Sequence, residues 1–271
     1  MLELYNFAQS TCSLKVRICL HEKGLAWTDH RLISKNADHL SEWYLKLNPN
    51  GVVPTLIHDG RPVFESSVIL QYLDQVFPDV ALMPADAYGQ AQVRAWLAFV
   101  DAVPTPAVRY PSFQFGGLLH KFQAMTQEQF DAQVTRRPLK GAFYRKMDRM
   151  TGFGAAEMKE AYAALRKTAA RMDRMFDQHG GPWLMGTQYG LADIAVAPLI
   201  DRAEDLGLEA LWCEDTPRVD DWLERMKARP AYGKAYYEGS RLSQQYPELK
   251  LGRGSNRDAI AQTGTANAAA E

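Results

Sequence analysis

The chain has 271 residues, with 31 Lys+Arg against 32 Asp+Glu for a formal charge of -1, and it is 46% hydrophobic and 11% aromatic. A nucleic-acid binder that works through counterion release carries a basic excess, and a disordered chain is poorer in apolar residues; neither describes this sequence. The length allows one large or two ordinary domains with ample core. The opening residues MLELYNF lack a charged n-region and a long apolar run, and no apolar stretch approaches a membrane span. A chain without membrane or nucleic-acid partners, in the cytoplasm, is therefore expected. Cys12, Cys19 and Cys213 form no C-x-x-C pair and no Cys/His cluster at metal spacing, so neither a metal site nor a disulfide framework is expected. On one helix Cys12 and Cys19 would stand roughly 10 Å apart, too far to bridge.

In chain order, LELYNF at 2–7 reads as a short strand, and LKVRICLHEK at 14–23 places Val16, Cys19 and Leu20 at helical spacing. Gly24 follows as a C-terminal cap. Residues 27–33 read as a second strand, which completes a β-α-β unit, and the connection 34–51 ends in the turn-rich Asn48 to Gly51. VPTLIH at 53–58 and RPVF at 61–64 are strand candidates joined by the hairpin signal Asp59-Gly60. A helix from Ser66 carries Val68, Ile69, Tyr72, Leu73, Val76 and Phe77 on one broad face and ends at Pro78.

Beyond residue 86 the pattern changes. Residues 87–103, 155–178, 191–206 and 217–228 all show helical periodicity, and Thr216-Pro217 is a helix start. Between the first two helices, 104–154 is less regular and holds Pro104, Pro106, Pro111 and Pro138. From Gly252 the residues are small and polar, and a mobile tail is expected. The expected fold class is α/β followed by all-α, with an N-terminal domain over 1–80, a helical domain over 87–251 enlarged by an insertion at about 104–154, and a tail over 252–271.

Several segments carry candidate chemistry beside a plainer reading. Ser10, Thr11, Cys12 and Ser13 stand where the first strand hands over to the first helix, where amides and the helix dipole can stabilise a thiolate; the plainer reading is a cap. Pro54 opens a strand, which needs only its missing N–H; a cis bond after Val53 would instead offer backbone to an extended peptide-like ligand. Glu65-Ser66 opens another helix, as a cap or as a holder of a γ-glutamyl group. Lys35 and His39 lie in a polar loop and read by default as solvated. The basic run Arg136, Arg137, Lys140, Arg145, Lys146 and Arg149 is most simply a solvated face, with an anion-facing patch as the lesser alternative. Tyr110, Phe113, Phe115 and Phe143 can line a pocket or pack a core.

The order and spacing of STCSLKVRI after the first strand, LNPNGVVPTL at 47–56, ESSVILQYL at 65–73 and GLADIA at 190–195 resemble the glutathione transferase family along almost the whole chain. The resemblance implies an N-terminal thioredoxin-like domain that binds glutathione and a C-terminal helical-bundle domain that supplies most of the electrophile pocket. It implies a homodimer, and glutathione as cosubstrate without a metal. It implies that Val53 makes backbone contacts beside a cis Pro54, that Glu65 and Ser66 hold the γ-glutamyl end, and that His39 or Lys35 meets the glycine carboxylate. Where the family has Ser or Thr before its x-A-D motif this sequence has Gly190, an acceptable cap without a side-chain acceptor.

Within the family the signals divide. STCSLKVRI resembles the segment of zeta-class maleylacetoacetate isomerases and of hydroquinone reductive dehalogenases, which would make Ser10 or Cys12 the active group. MTQEQF at 125–130, the basic stretch and GFGAAEM at 152–158 resemble the insertion of bacterial β-etherases, which would place the activating hydroxyl at Ser13. The longer match favours a β-etherase that acts on a small hydrophobic aromatic electrophile, with Tyr110, Phe113 and Phe115 lining its pocket. A glutathione-binding carrier without turnover is the remaining class.

Overall fold

The computed structural model describes residues 1–265. Strand β1 (Leu2–Asn6) leads into helix α1 (Thr11–Glu22), which returns to β2 (Thr28–Arg31). After two 3-10 turns and α2 (Glu42–Leu47) come β3 (Thr55–His58), β4 (Arg61–Phe64) and α3 (Ser66–Val76). The four strands form one sheet in the order β2-β1-β3-β4. β1 runs parallel to β2 and antiparallel to β3, with Leu4 opposite both Asp29 and Leu56, while β3 and β4 form the hairpin anticipated at Asp59-Gly60. This is the thioredoxin-like arrangement implied by the sequence.

The rest is helical: α4 (Ala87–Ala102), α5 (Pro104–Ala107), α6 (Arg109–Phe115), α7 (Leu118–Gln123), α8 (Gln127–Thr135), α9 (Gly141–Arg145), α10 (Ala155–His179), α11 (Leu191–Asp205), α12 (Arg218–Lys227), α13 (Pro230–Ala235), α14 (Leu242–Gln245) and α15 (Arg257–Thr265). The irregular insertion is thus a chain of short helices. Its prolines cut it into pieces: Pro104 opens α5, where the missing N–H costs nothing. The stretch expected to trail as a tail behaves differently as far as residue 265. Asn256 Nδ2 donates to the Leu206 carbonyl at 2.8 Å, Arg253 pairs with Glu204 and Asp220, and α15 buries Ile260 against the core. Residues 266–271 lie outside the described residues. Among the described residues no helix is long and apolar enough to cross a membrane.

Helix α1 is the seam of the molecule. Its residues Ser13 to Leu20 are all buried, and it packs on α3, α11 and α13. The cations inside it are hydrogen-bonded across the seam, Arg17 Nε excepted, which finds no partner among the described residues. Lys15 Nζ donates to Thr105 Oγ1 at 3.3 Å and faces Asp101 at 3.5 Å. The Arg17 guanidinium donates to Asn6, Ala8 and Ser240, hydrogen-bonds Tyr237 and lies 4.1 Å over the Tyr237 ring. At the far end Glu22 accepts a forked pair from Arg229 at 2.7 and 2.9 Å. Buried ions persist only when each is paired in this way, so both ends of α1 are fixed relative to the helical half.

Candidate active site

At the N-terminal end of α1 a cavity of about 630 Å³ opens between the sheet edge and the helical half, a size that fits a small ligand. Its floor is the turn after β1, with Ser10, Thr11 and Cys12; one side is Gly51 to Val53, and the opposite wall comes from the insertion, with Arg109, Phe113, Phe143 and Tyr144. The Val53–Pro54 peptide bond is cis, the form anticipated there.

Ser10 caps α1. Its Oγ accepts the Ser13 amide at 3.3 Å and its carbonyl accepts the Leu14 amide at 2.9 Å. No acceptor for the amides of Thr11 or Cys12 is found among the described residues, so two N–H groups and the positive end of the helix are left for an anion. Cys12 is part-exposed and lines the cavity.

Ser13 does not. The hydroxyl expected to activate the nucleophile is wholly buried, and its Oγ finds no hydrogen-bond partner among the described residues. The reason is the helix start. With Thr11 as the first helical residue, position 13 shares a face with Val16, Arg17 and Leu20 at i+3, i+4 and i+7 and turns inward with them. Of the three catalytic candidates, Ser10 and Cys12 meet the cavity.

Only some of the expected glutathione-binding residues line the cavity. Val53 and His39 line it, whereas Pro54, Glu65 and Ser66 do not. Glu65 is exposed, with a positive φ of 68°, and it caps α3 through its backbone; Ser66 follows, buried, in the first turn. Both therefore stand at the N-terminus of α3, a position suited to a carboxylate. The side chain of Lys35 lies outside the described residues. His39 is held neutral: burial first, and then the nearby Arg137, Lys140, Lys121 and Arg136, lower its pKa to about 4.

Of the three expected pocket aromatics only Phe113 lines the cavity. In α6 and its C-cap, residues 109, 112, 113 and 116 fall on the cavity face. Tyr110 turns aside to pack edge-on against Phe143 and Phe153 at 5.1 and 4.7 Å, and Phe115 points to a separate surface cleft with Phe153 and Tyr162. Phe7, Phe122, Phe143, Tyr144 and Tyr246 complete the aromatic lining.

The basic run is not one solvated face. Arg136, Arg145 and Lys146 are exposed, and Arg149 is spent on the carbonyls of Gln123 and Met125 at 3.0 and 2.6 Å. Arg137 and Lys140, three residues apart, line the cavity. With Arg109, Lys121 and Arg202 they give it a cationic wall. The i, i+3 spacing was the available sign, but nothing in the pattern told inward cations from outward ones.

A family model described as "Glutathione S-transferase, N-terminal domain" matches residues 9–76, and one described as "Glutathione S-transferase, C-terminal domain" matches 133–230. Protein LigF of Sphingobium sp. (strain NBRC 103272 / SYK-6) is 31% identical over 246 residues, spanning 89% of this chain and 95% of that one. The chain belongs to the glutathione S-transferase family.

The solved structure of the beta-etherase LigF from Sphingobium sp. strain SYK-6 superposes on this transferase with a TM-score of 0.77 at 31% identity, covering 87% of this chain and 98% of that one. A maleylacetoacetate isomerase of Pseudomonas aeruginosa is 26% identical, over 87% of this chain and 95% of its own length. The transferase fold also explains the Gly190 departure. The Leu191 amide donates to the Leu82 carbonyl at 2.8 Å, and a β-carbon at Gly190 would stand 2.5 Å from that same oxygen. The capping is done instead by Asp193, which accepts from the Gly190 and Leu184 amides at 3.1 and 3.0 Å and from Trp222 Nε1 at 2.8 Å.

Proposed function

We propose that this transferase cleaves a β-aryl ether of a lignin-type aromatic with glutathione. The tripeptide lies extended along the Val53–Pro54 edge, its γ-glutamyl end at Glu65 and Ser66 and its glycine carboxylate toward His39 and Lys35. Its sulfur reaches the N-terminus of α1. There the amides of Thr11 and Cys12, with the side chains of Ser10 and Cys12 at hand, favour the thiolate. The sulfur forms a bond to the β-carbon, the carbon–oxygen bond breaks, and its electron pair leaves on a phenolate that then takes a proton from water. Phenolate is a good leaving group, so alignment of the two reactants and thiolate formation are the protein's main contributions.

The observation that carries this reading is the two-sided cavity, with an anion-binding helix end on one side and an insertion wall bearing Phe113, Phe143 and Tyr144 on the other. Similarity to the beta-etherase LigF over most of both chains supports it. A cytoplasmic homodimer belongs to the same proposal. The test is incubation of the protein with glutathione and a β-aryl ether, followed by mass: a thioether adduct and a phenol should appear in equal amounts. A second reading, isomerisation of a maleyl substrate, is favoured by Cys12 on the cavity floor and by the isomerase relative. Turnover of that substrate without adduct, lost in Cys12→Ala, would replace the first reading; glutathione binding with neither activity would mark a carrier.

A further inference from the structure

We infer that Lys140, supplied by the insertion, is a catalytic residue whose ammonium group stabilises the glutathione thiolate from the wall facing the α1 N-terminus. The inference rests on glutathione occupying this cavity, and not on an aryl ether being the second substrate.

The first ground is position. Lys140 lines the cavity at the residue that caps α9, and Pro138, two residues earlier, packs against Gly51 beside the Val53–Pro54 edge. The segment that carries Lys140 is thereby closed over the glutathione side of the cavity. The second ground is lack of other employment. The Lys140 ammonium makes no hydrogen bond or ion pair among the described residues, whereas Arg137 donates to Gln133 and lies 4.2 Å over the Tyr144 ring, and Arg202 donates to the carbonyls of Gln9 and Ser240. The Lys140 ammonium therefore faces the cavity uncommitted to any protein acceptor, where an anion that enters can pair with it.

The third ground is the set of charges around it. Arg109 from α6 and Arg137 from the α8–α9 connection repel the ammonium; Cys12 on α1 and Glu65 before α3 are close enough for their charges to favour it. Burial first, and then the two arginines, bring its pKa down to about 8. It remains largely protonated at neutral pH, and an added anion beside it raises its pKa again. Cys12 marks the place of that anion, since the helix end it occupies is where the glutathione sulfur is expected. The Ser13 hydroxyl is buried away from this point, so Lys140 acts from the opposite wall together with the helix end and the Ser10 and Cys12 side chains that line the cavity there. On binding, the glutathione S–H bond breaks, the electron pair stays on sulfur, and the proton passes to water.

The experiment titrates bound glutathione by the ultraviolet absorbance of its thiolate, with wild type, Lys140→Met, Lys140→Arg and the exposed control Lys146→Met. A free thiol titrates at about 8.5. Lys140→Met should raise the midpoint of the bound thiol by about one pH unit or more, the effect of removing an adjacent opposite charge. Lys140→Arg should restore most of the shift, and Lys146→Met should match wild type. A midpoint unmoved in Lys140→Met overturns the inference, as does an equal shift in Lys146→Met. If glutathione affinity falls while the midpoint stays, Lys140 holds a carboxylate and the inference also fails. Should Lys140→Met not fold, Lys140→Gln takes its place in the same titration. Because no second substrate is added, failure of the aryl-ether reading leaves this result standing.

Discussion

The ring of Pro138 rests against the bare backbone of Gly51: a β-carbon added at Gly51 would stand 3.2 Å from Pro138 Cδ and 2.9 Å from Leu40 Cδ2. Gly51 also holds a φ of 58°, where an L side chain is strained. Gly51→Ala is therefore expected to cost about 1–3 kcal/mol in chemical denaturation. It should also weaken glutathione binding, because the segment bearing Arg137 and Lys140 must move away from the sheet edge. A variant as stable as wild type with unchanged affinity would mean that this contact does not shape the site.

Ser13→Ala and Ser66→Ala should separate two buried serines that look alike in sequence. The Ser13 hydroxyl is buried without a partner, so its removal relieves an unsatisfied group worth about 1–3 kcal/mol. The alanine variant should be at least as stable as wild type and keep its turnover. Ser66→Ala should raise KM for glutathione about tenfold with kcat little changed, the loss of one hydrogen bond to a charged group. Steady-state kinetics on both variants decide it, and a tenfold fall in kcat for Ser13→Ala would return that residue to the chemistry.

These two serines show where sequence was informative and where it stopped. The strand order, the Asp59-Gly60 hairpin and the helical second half follow from period and turn residues, which are local properties of the chain. Which way a side chain faces depends on the register of the helix start, and one residue decides it: Ser10 as cap turns Ser13 inward and leaves Cys12 at the cavity. Tyr110 and Phe115 failed as pocket residues for the same reason, because α6 presents only one face. Lys140 and Arg137 were unreadable because inward and outward cations look the same until Pro138 docks on Gly51. The small polar stretch after Gly252 gave no sign of the acidic partners, Glu204, Glu209 and Asp220, that hold it through residue 254.

His39 should shape the acid limb of stability. Its folded pKa, about 4, lies below the unfolded value of about 6.5, so between those values the unfolded chain binds the extra proton. Its contribution is fully present above pH 6.5 and is lost as pH falls toward 4. Urea denaturation across that range should show a shallower decline in His39→Asn than in wild type. Saturating glutathione should raise the imidazole pKa, followed by proton resonance, because the glycine carboxylate beside the ring offsets the cationic charges that depress it. Parallel stability curves for wild type and variant would remove His39 from this role.

Asp193 carries the helical half. It is wholly buried and accepts from three donors, the amides of Leu184 and Gly190 and Trp222 Nε1. Asp193→Ala leaves all three without an acceptor where water does not reach, at about 1–3 kcal/mol each, so a loss of at least about 3 kcal/mol is expected in urea denaturation. Burial raises the carboxyl to about 6, against the lowering effect of those donors. For a carboxyl raised above its unfolded value of about 3.9, the linked stability is present below pH 3.9 and is lost as pH rises through 6, opposite in sign to that of His39. The two must therefore be separated by variant rather than read from one curve. Gly190→Ala should be destabilised as well, because its β-carbon meets the Leu82 carbonyl while the Asp193 bonds stay available. If Asp193→Ala loses less than about 1 kcal/mol, the three donors have found other partners, and the turn before α11 is not the structural anchor its geometry indicates.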